Sequence, residues 1–179
     1  MKKVLSAAPS TITFQDDNGN AALHVAAYNG HWGVVKEILR RVPPLFLTIN
    51  NDGNTVLHLA VGGFKASGFR SPDRHMEVIK NLVSDKTLNL QTMVNCKNRD
   101  GKTPLHIAVI LGKRSDEKLL NLLVSVPGLD INICDKNGMT AYDMIKATVA
   151  SGLSPESLLK CLAEVGGRLM IPQSPATSQ

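Results

Sequence analysis

Four stretches of this 179-residue chain place apolar residues three and four positions apart: VVKEILRR (34–41), MEVIKNLV (76–83), EKLLNLLV (117–124) and SLLKCLAEV (157–165). That spacing gathers the apolar side chains on one face, and it predicts four amphipathic helices. Ahead of each lies a shorter segment, of which TPLHIAV (103–109) is the clearest. Thr103 suits its N-cap, Pro104 suits its first helical position, and the small side chain of Ala108 lets a neighbouring helix approach. Each unit therefore reads as turn, short helix, loop, longer helix, turn.

The short segments are copies of one another. DDNGNAALHVA (16–26), NNDGNTVLHLA (50–60), NRDGKTPLHIA (98–108) and DKNGMTAYDMI (135–145) align without gaps. Gly19, Gly53, Gly101 and Gly138 fall at one place in this alignment, where a tight turn needs positive φ. His24, His58 and His106 stand three residues after the cap position. Each imidazole is expected to reach back to its own turn, as the acid does in a capping box. Changing His106 to Ala is then expected to cost about 1–3 kcal/mol, as loss of a buried hydrogen bond does, while binding by the folded protein persists. A melt of that variant checks this, and a variant that stays fully stable but cannot bind would reverse the assignment.

The turn glycine, TPLHIA, the AAYNGH of 26–31 and the VVKEIL helix (34–39) together resemble the ankyrin repeat. The resemblance covers nearly all of residues 16–167 and implies an all-α solenoid of stacked helix-turn-helix units joined by hairpin-like turns. The departures are Ala21 and Ala22 for Thr and Pro in unit one, and Asp143 for His in unit four. Losing those caps is expected to loosen units one and four by about 1 kcal/mol each. The final unit, ending LAEVGGR, and the long inter-helix loops are similar to ankyrin proteins of plants, some of which continue into membrane segments.

Spacing sets the boundaries: unit one at 16–49, unit two at 50–97, unit three at 98–134, unit four at 135–169 and a disordered tail at 170–179. Ten extra residues in unit two place an exposed loop at 62–75, where Phe64 and Phe69 either fold back on the stack or meet a partner. A smaller insertion lies near 88–95. Residues 1–15 read as the tail of a partial preceding repeat, because VLSAAPSTITFQDDNGN (4–20) aligns with ILRRVPPLFLTINNDGN (38–54). The chain is thus expected to be a piece of a longer array or to begin with a half unit.

Composition narrows the chemistry. Hydrophobic residues at 43% and charged residues at 20% fit a globular protein, while aromatics at 4% argue against base-stacking platforms and aromatic ligand cavities. No run approaches a membrane span, and MKKVLSAAPS has too short an apolar stretch for a secretory signal. Cys96, Cys134 and Cys161 are odd in number and far apart, which suits reduced thiols in the cytoplasm or nucleus, or in the soluble arm of a membrane protein. With no CxxC or CxxH pair, no phosphate-binding glycine loop and no calcium loop, no metal or cofactor is expected. Thr103 and His106 are near each other, but the pair recurs in other units, and titratable groups that are only periodic do not make an enzyme's pocket.

By resemblance, then, the chain is expected to bind a partner protein through its hairpin tips and the concave face of its first helices. The tips are Asp17, Asn18 and Asn20; Asn51, Asp52 and Asn54; Arg99, Asp100 and Lys102; and Lys136, Asn137 and Met139. On the helices the candidates are Tyr28, Asn29, Ile110 and Leu111, while Trp32 takes a core position. The tips run from acidic and amide-rich to basic, which suits a partner of opposite polarity along its length. Nucleic-acid binding through basic residues 65–114 is a weaker alternative, and its affinity would fall steeply with salt. A targeting or regulatory domain of a larger enzyme or membrane protein is the other.

Overall fold

A helix of seven residues does not hold itself in water, so the TPLHIAV-type segments need a neighbour over their apolar side. The computed structural model, which describes residues 12–66, 72–88, 90–111 and 117–150, supplies one for each. In chain order the helices are α1 (Ala22–Tyr28), α2 (Trp32–Arg41), α3 (Val56–Ala66), α4 (Pro72–Ser84), α5 (Leu90–Val94), α6 (Pro104–Ile110), α7 (Glu117–Val124) and α8 (Ala141–Ala150). A 3-10 turn at Pro43–Leu47 follows α2. The short helices pack in one row, α1 on α3, α3 on α6 and α6 on α8. The longer ones form a second row, α2 on α4 and α4 on α7. This is the all-α ankyrin solenoid.

The core runs between the two rows. Leu23, Leu57 and Leu105 come from one register position of the short helices, and Ala26, Ala60 and Ala108 from another; all six are buried. The alanines keep the rows close enough for Val35, Ile38, Ile79, Leu82, Leu119 and Leu123 of the outer helices to fill the gap. Trp32 packs against this core but stays half-buried. The insertion near 88–95 is α5, which buries Leu90, Met93 and Val94.

Two sequence expectations change. The loop at 62–75 is shorter than its glycines suggest, because α3 runs through Gly62 and Gly63 to Ala66 and helix resumes at Pro72. Phe64 lies in α3, is 4% exposed and stands 5.3 Å from the His75 ring, so it is a core residue and no loop contact. Phe69 lies outside the described residues, as do 1–11, the 157–165 helix segment and the 170–179 tail. The second change concerns unit four, whose cap is not lost. The Thr140 hydroxyl and amide both donate to Asp143 Oδ2, at 2.6 and 3.0 Å, and the Asp143 amide donates back to Thr140 Oγ1 at 3.1 Å. A carboxylate three residues past the cap accepts as well as an imidazole does.

Candidate functional site

The hairpins are built by their first residue. Asp16, Asn50, Asn98 and Asp135 each accept from the amides two and four residues on, at 2.8–3.1 Å. Their short side chains thereby close the turn. At Gly101 (φ +75°) a Cβ would stand 2.7 Å from the Lys136 amide nitrogen, so both the turn and the next hairpin's approach require glycine.

Hairpins are then tied sideways. The amides of Asn51, Arg99 and Lys136 donate to the carbonyls of Asn18, Asp52 and Asp100 at 2.9, 2.8 and 3.1 Å. Asn50 Nδ2 donates to Asn20 Oδ1 at 2.9 Å, and Asn98 Nδ2 to Asn54 Oδ1 at 3.0 Å. Lys102 Nζ sits 3.7 Å from Asp100 and 3.9 Å from Asp135. Asn20, Asn54 and Lys102, expected at the partner surface, are therefore half-buried and engaged in ties within the stack.

The histidines make a second set of ties. Nδ1 of His58 accepts from the Thr55 amide at 3.2 Å and hydroxyl at 2.8 Å; His106 repeats this with Thr103 at the same distances, and His24 accepts from the Ala21 amide at 3.1 Å. Unit one thus lacks only the hydroxyl. With Nδ1 accepting, Nε2 carries the proton. It donates to the next unit's turn: Thr48 O for His24 at 3.1 Å, Lys102 O for His58 at 2.9 Å and Met139 O for His106 at 3.1 Å. Burial, outweighing the carbonyl partners, pushes His58 down to about 4 and lowers His24 and His106 as well. These imidazoles are neutral bridges between units and present no reactive face.

The surface free of these ties includes the outward side of the short helices and the hairpin tips, and, away from them, the exposed apolar side chains of Phe14, Leu47 and Ile49. Val25, Tyr28 and Ile110 are 46%, 39% and 56% exposed, large for apolar side chains. Leu59, Ile107 and Met144 share Val25's register position and are partly exposed. Between units one and two this face dips into a groove of about 390 Å³ floored by Val25, Tyr28, Asn29 and Leu59 and edged by Asn18, Asn20, Asp52 and Asn54. Asp17, Asn18, Asn51, Asp52, Arg99, Asp100, Lys136 and Asn137 are exposed along the tips. Asn29, Leu111 and Met139 are half-buried; Asn29 donates to Val25 O, and Leu111 packs on the core.

Two features escaped the sequence reading. One is the Val25, Leu59, Ile107 and Met144 row, whose signal was the apolar residue after each motif histidine or aspartate. The other is His75, 2% exposed, whose Nε2 lies 3.0 Å from Tyr28 O and joins α4 to α1. Outside the repeated motif, nothing in the sequence marks it. Among the described residues, no three His, Cys, Asp or Glu side chains are placed to hold a metal ion, and no helix is long and apolar enough to cross a membrane.

A family model described as ankyrin repeats (3 copies) matches residues 1–89, and one described as ankyrin repeat matches 100–136. The chain belongs to the ankyrin-repeat family. Among curated ankyrin-containing relatives, the nuclear factor NF-kappa-B p105 subunit of Gallus gallus is 30% identical over 152 residues, covering 81% of this chain and 13% of its own. The probable 26S proteasome regulatory subunit p28 of Saccharomyces cerevisiae is 33% identical over 130 residues, covering 71% of this chain and 48% of its own. The protein ACCELERATED CELL DEATH 6 of Arabidopsis thaliana is 30% identical over 105 residues, 53% of this chain and 14% of its own. The ankyrin match thus spans half or less of each of these proteins. Ankyrin repeats are in general protein–protein interaction modules and generally non-catalytic.

Proposed function

We propose that this ankyrin array is a non-catalytic interaction module that binds a partner protein on the concave face of its short helices and on its hairpin tips. The observation that carries this is the exposure of Val25, Tyr28 and Ile110 on one row of helices whose core-facing positions, Leu23, Leu57 and Leu105 among them, are buried. Large apolar side chains left in water on a shared face mark a binding surface, and aromatic side chains carry much of the energy at such surfaces. Two of the relatives are, by name, subunits of larger assemblies, which supports the same reading. The unpaired thiols Cys96 and Cys134 favour a reducing compartment, the cytoplasm or nucleus. A second reading, a regulatory or targeting portion of a larger enzyme or membrane protein, is favoured by the 13% and 14% of the chicken and Arabidopsis relatives that the match covers. In either case the surface is the same.

The test is capture from a lysate of the source organism with three baits. Against wild type, Tyr28→Ala with Arg99→Ala and Ile110→Ala is expected to lose bound protein by about tenfold or more. Lys36→Ala with Lys118→Ala, exposed on α2 and α7, is expected to capture as wild type does. Equal capture by all three contradicts the concave-face reading.

A further inference from the structure

Some of the polar groups around the groove between units one and two are spent within the fold, and others are not. Asn20 and Asn50 use their amides on Asp16, on each other and on the turn at 50–54. Asn54 has used only its oxygen, which accepts from Asn98. Its Nδ2, the Asn18 side chain, the Asp52 carboxylate and the Tyr28 hydroxyl make no hydrogen bond among the described residues, and all four residues line the groove. The floor, Val25 and Leu59, is apolar. The groove therefore sets unspent hydrogen-bonding groups around an apolar strip, and that combination selects the shape of what fits. A helix satisfies its own backbone and needs only an apolar strip. An extended segment carries unpaired amides and carbonyls along its length, and Asn18 and Asn54 are the groups that meet them.

Charge narrows the sequence of that segment. Among the residues lining the groove, Asp52 carries the one formal charge; it is exposed and has no ion pair among the described residues. Asp16 and Asp17 are exposed on the adjoining tip, and neither 16–20 nor 50–54 contains a lysine or arginine. Arg99 follows on the next tip, where its backbone amide donates to Asp52 O while its guanidinium forms no ion pair with the carboxylate. Building on the concave-face reading, we propose that this groove binds an extended segment of a partner protein, with an apolar side chain on Val25 and Leu59 and a nearby Lys or Arg paired with Asp52. The apolar contact supplies affinity. The ion pair and the backbone bonds to Asn18 and Asn54 fix the register and reject acidic segments.

The experiment is selection from a random peptide library displayed on phage, against the wild-type chain, Val25→Gln and Asp52→Lys, with the selected sequences then titrated as synthetic peptides. Val25 is 46% exposed and glutamine favours a helix more than valine does, while the Asp52 carboxylate bonds nothing in the fold, so both variants stay folded, which a thermal melt verifies before selection. Wild type is expected to enrich sequences with an apolar residue and a Lys or Arg within a few positions of it. Both variants are expected to bind those peptides at least about tenfold more weakly, and selection on Asp52→Lys is expected to put Asp or Glu where wild type took the basic residue. The chemical shifts of a labelled peptide in the complex are expected to be those of an extended chain. Failure to enrich any sequence, enrichment without a basic residue, the same sequences from Asp52→Lys, or helical shifts in the bound peptide overturns the proposal. If the Tyr28, Arg99 and Ile110 bait loses its captured protein while Val25→Gln and Asp52→Lys baits keep it, the face is right and the groove is wrong. If all of these baits capture as wild type does, the face itself is wrong.

Discussion

Gly63→Ala is expected to destabilise the protein by about 3 kcal/mol, at the upper end of overpacking costs, whereas Gly62→Ala, one residue earlier, is expected to raise stability by up to about 1 kcal/mol. Both glycines sit in helical conformation, since neither is among those with positive φ. Backbone strain is therefore not at issue, and only what surrounds each Cβ decides the sign. At Gly63 the obstacles are the Tyr28 carbonyl and His75, whose Nε2 is held against that same carbonyl at 3.0 Å. Neither can give way without opening the contact of α3 and α4 with α1. At Gly62 the new methyl meets open space, and the gain in propensity is what remains. Urea melts of the two variants check this. Shifts of the same sign would mean that the close approach of α1 and α3 is wrong.

Acid is expected to destabilise the stack well before its carboxylates titrate. His58 has an ordinary value of 6.5 and is held by burial at about 4 in the folded chain, so between these values the unfolded chain takes a proton that the folded one refuses. The neutral-histidine contribution is complete above 6.5 and is lost progressively as pH falls towards 4. At 1.36 kcal/mol per unit, His58 alone accounts for about 3 kcal/mol of that loss. His24 and His106 move in the same direction. The cause is geometric as well as dielectric. A proton on Nδ1 would displace the acceptor of both Thr55 donors, while Nε2 is already committed to Lys102 O. Asp16, lowered chiefly by the Asn20 amide, and Asp135, whose burial penalty is outweighed by the Met139 and Asn137 amides, lose their contributions only at lower pH. Stability measured by urea at pH 7.5 and 4.5 should fall steeply for wild type and less steeply for His58→Gln, which starts lower. Equal slopes would remove His58 as the titrating group.

The sequence reached far where the physics is local. A turn glycine, a cap threonine and a histidine three residues on are read from one unit, and their contacts within that unit follow. It reached less far where a residue's role depends on its neighbour unit. Asn20 and Asn54 looked like free tip amides because the Asn50 and Asn98 side chains that bind them come from the next repeat. The outward reach of each Nε2 was hidden for the same reason. Gly62 and Gly63 read as a helix break, since propensity counts glycine as a cost and does not register a helix that must approach another closely. Asp143 read as a lost cap because it was compared with histidine and not with the capping acid it resembles. Tyr28 and Ile110 were legible as surface because the repeat leaves their positions unconstrained.

The central claim, that the short-helix face is the binding surface, is tested most directly by amide hydrogen exchange of the chain alone and with its captured partner. The expected result is new protection in α1, α3, α6 and the hairpins at 16–20, 50–54 and 98–102, with α2, α4 and α7 unchanged. Protection confined to α2, α4 and α7 would contradict it.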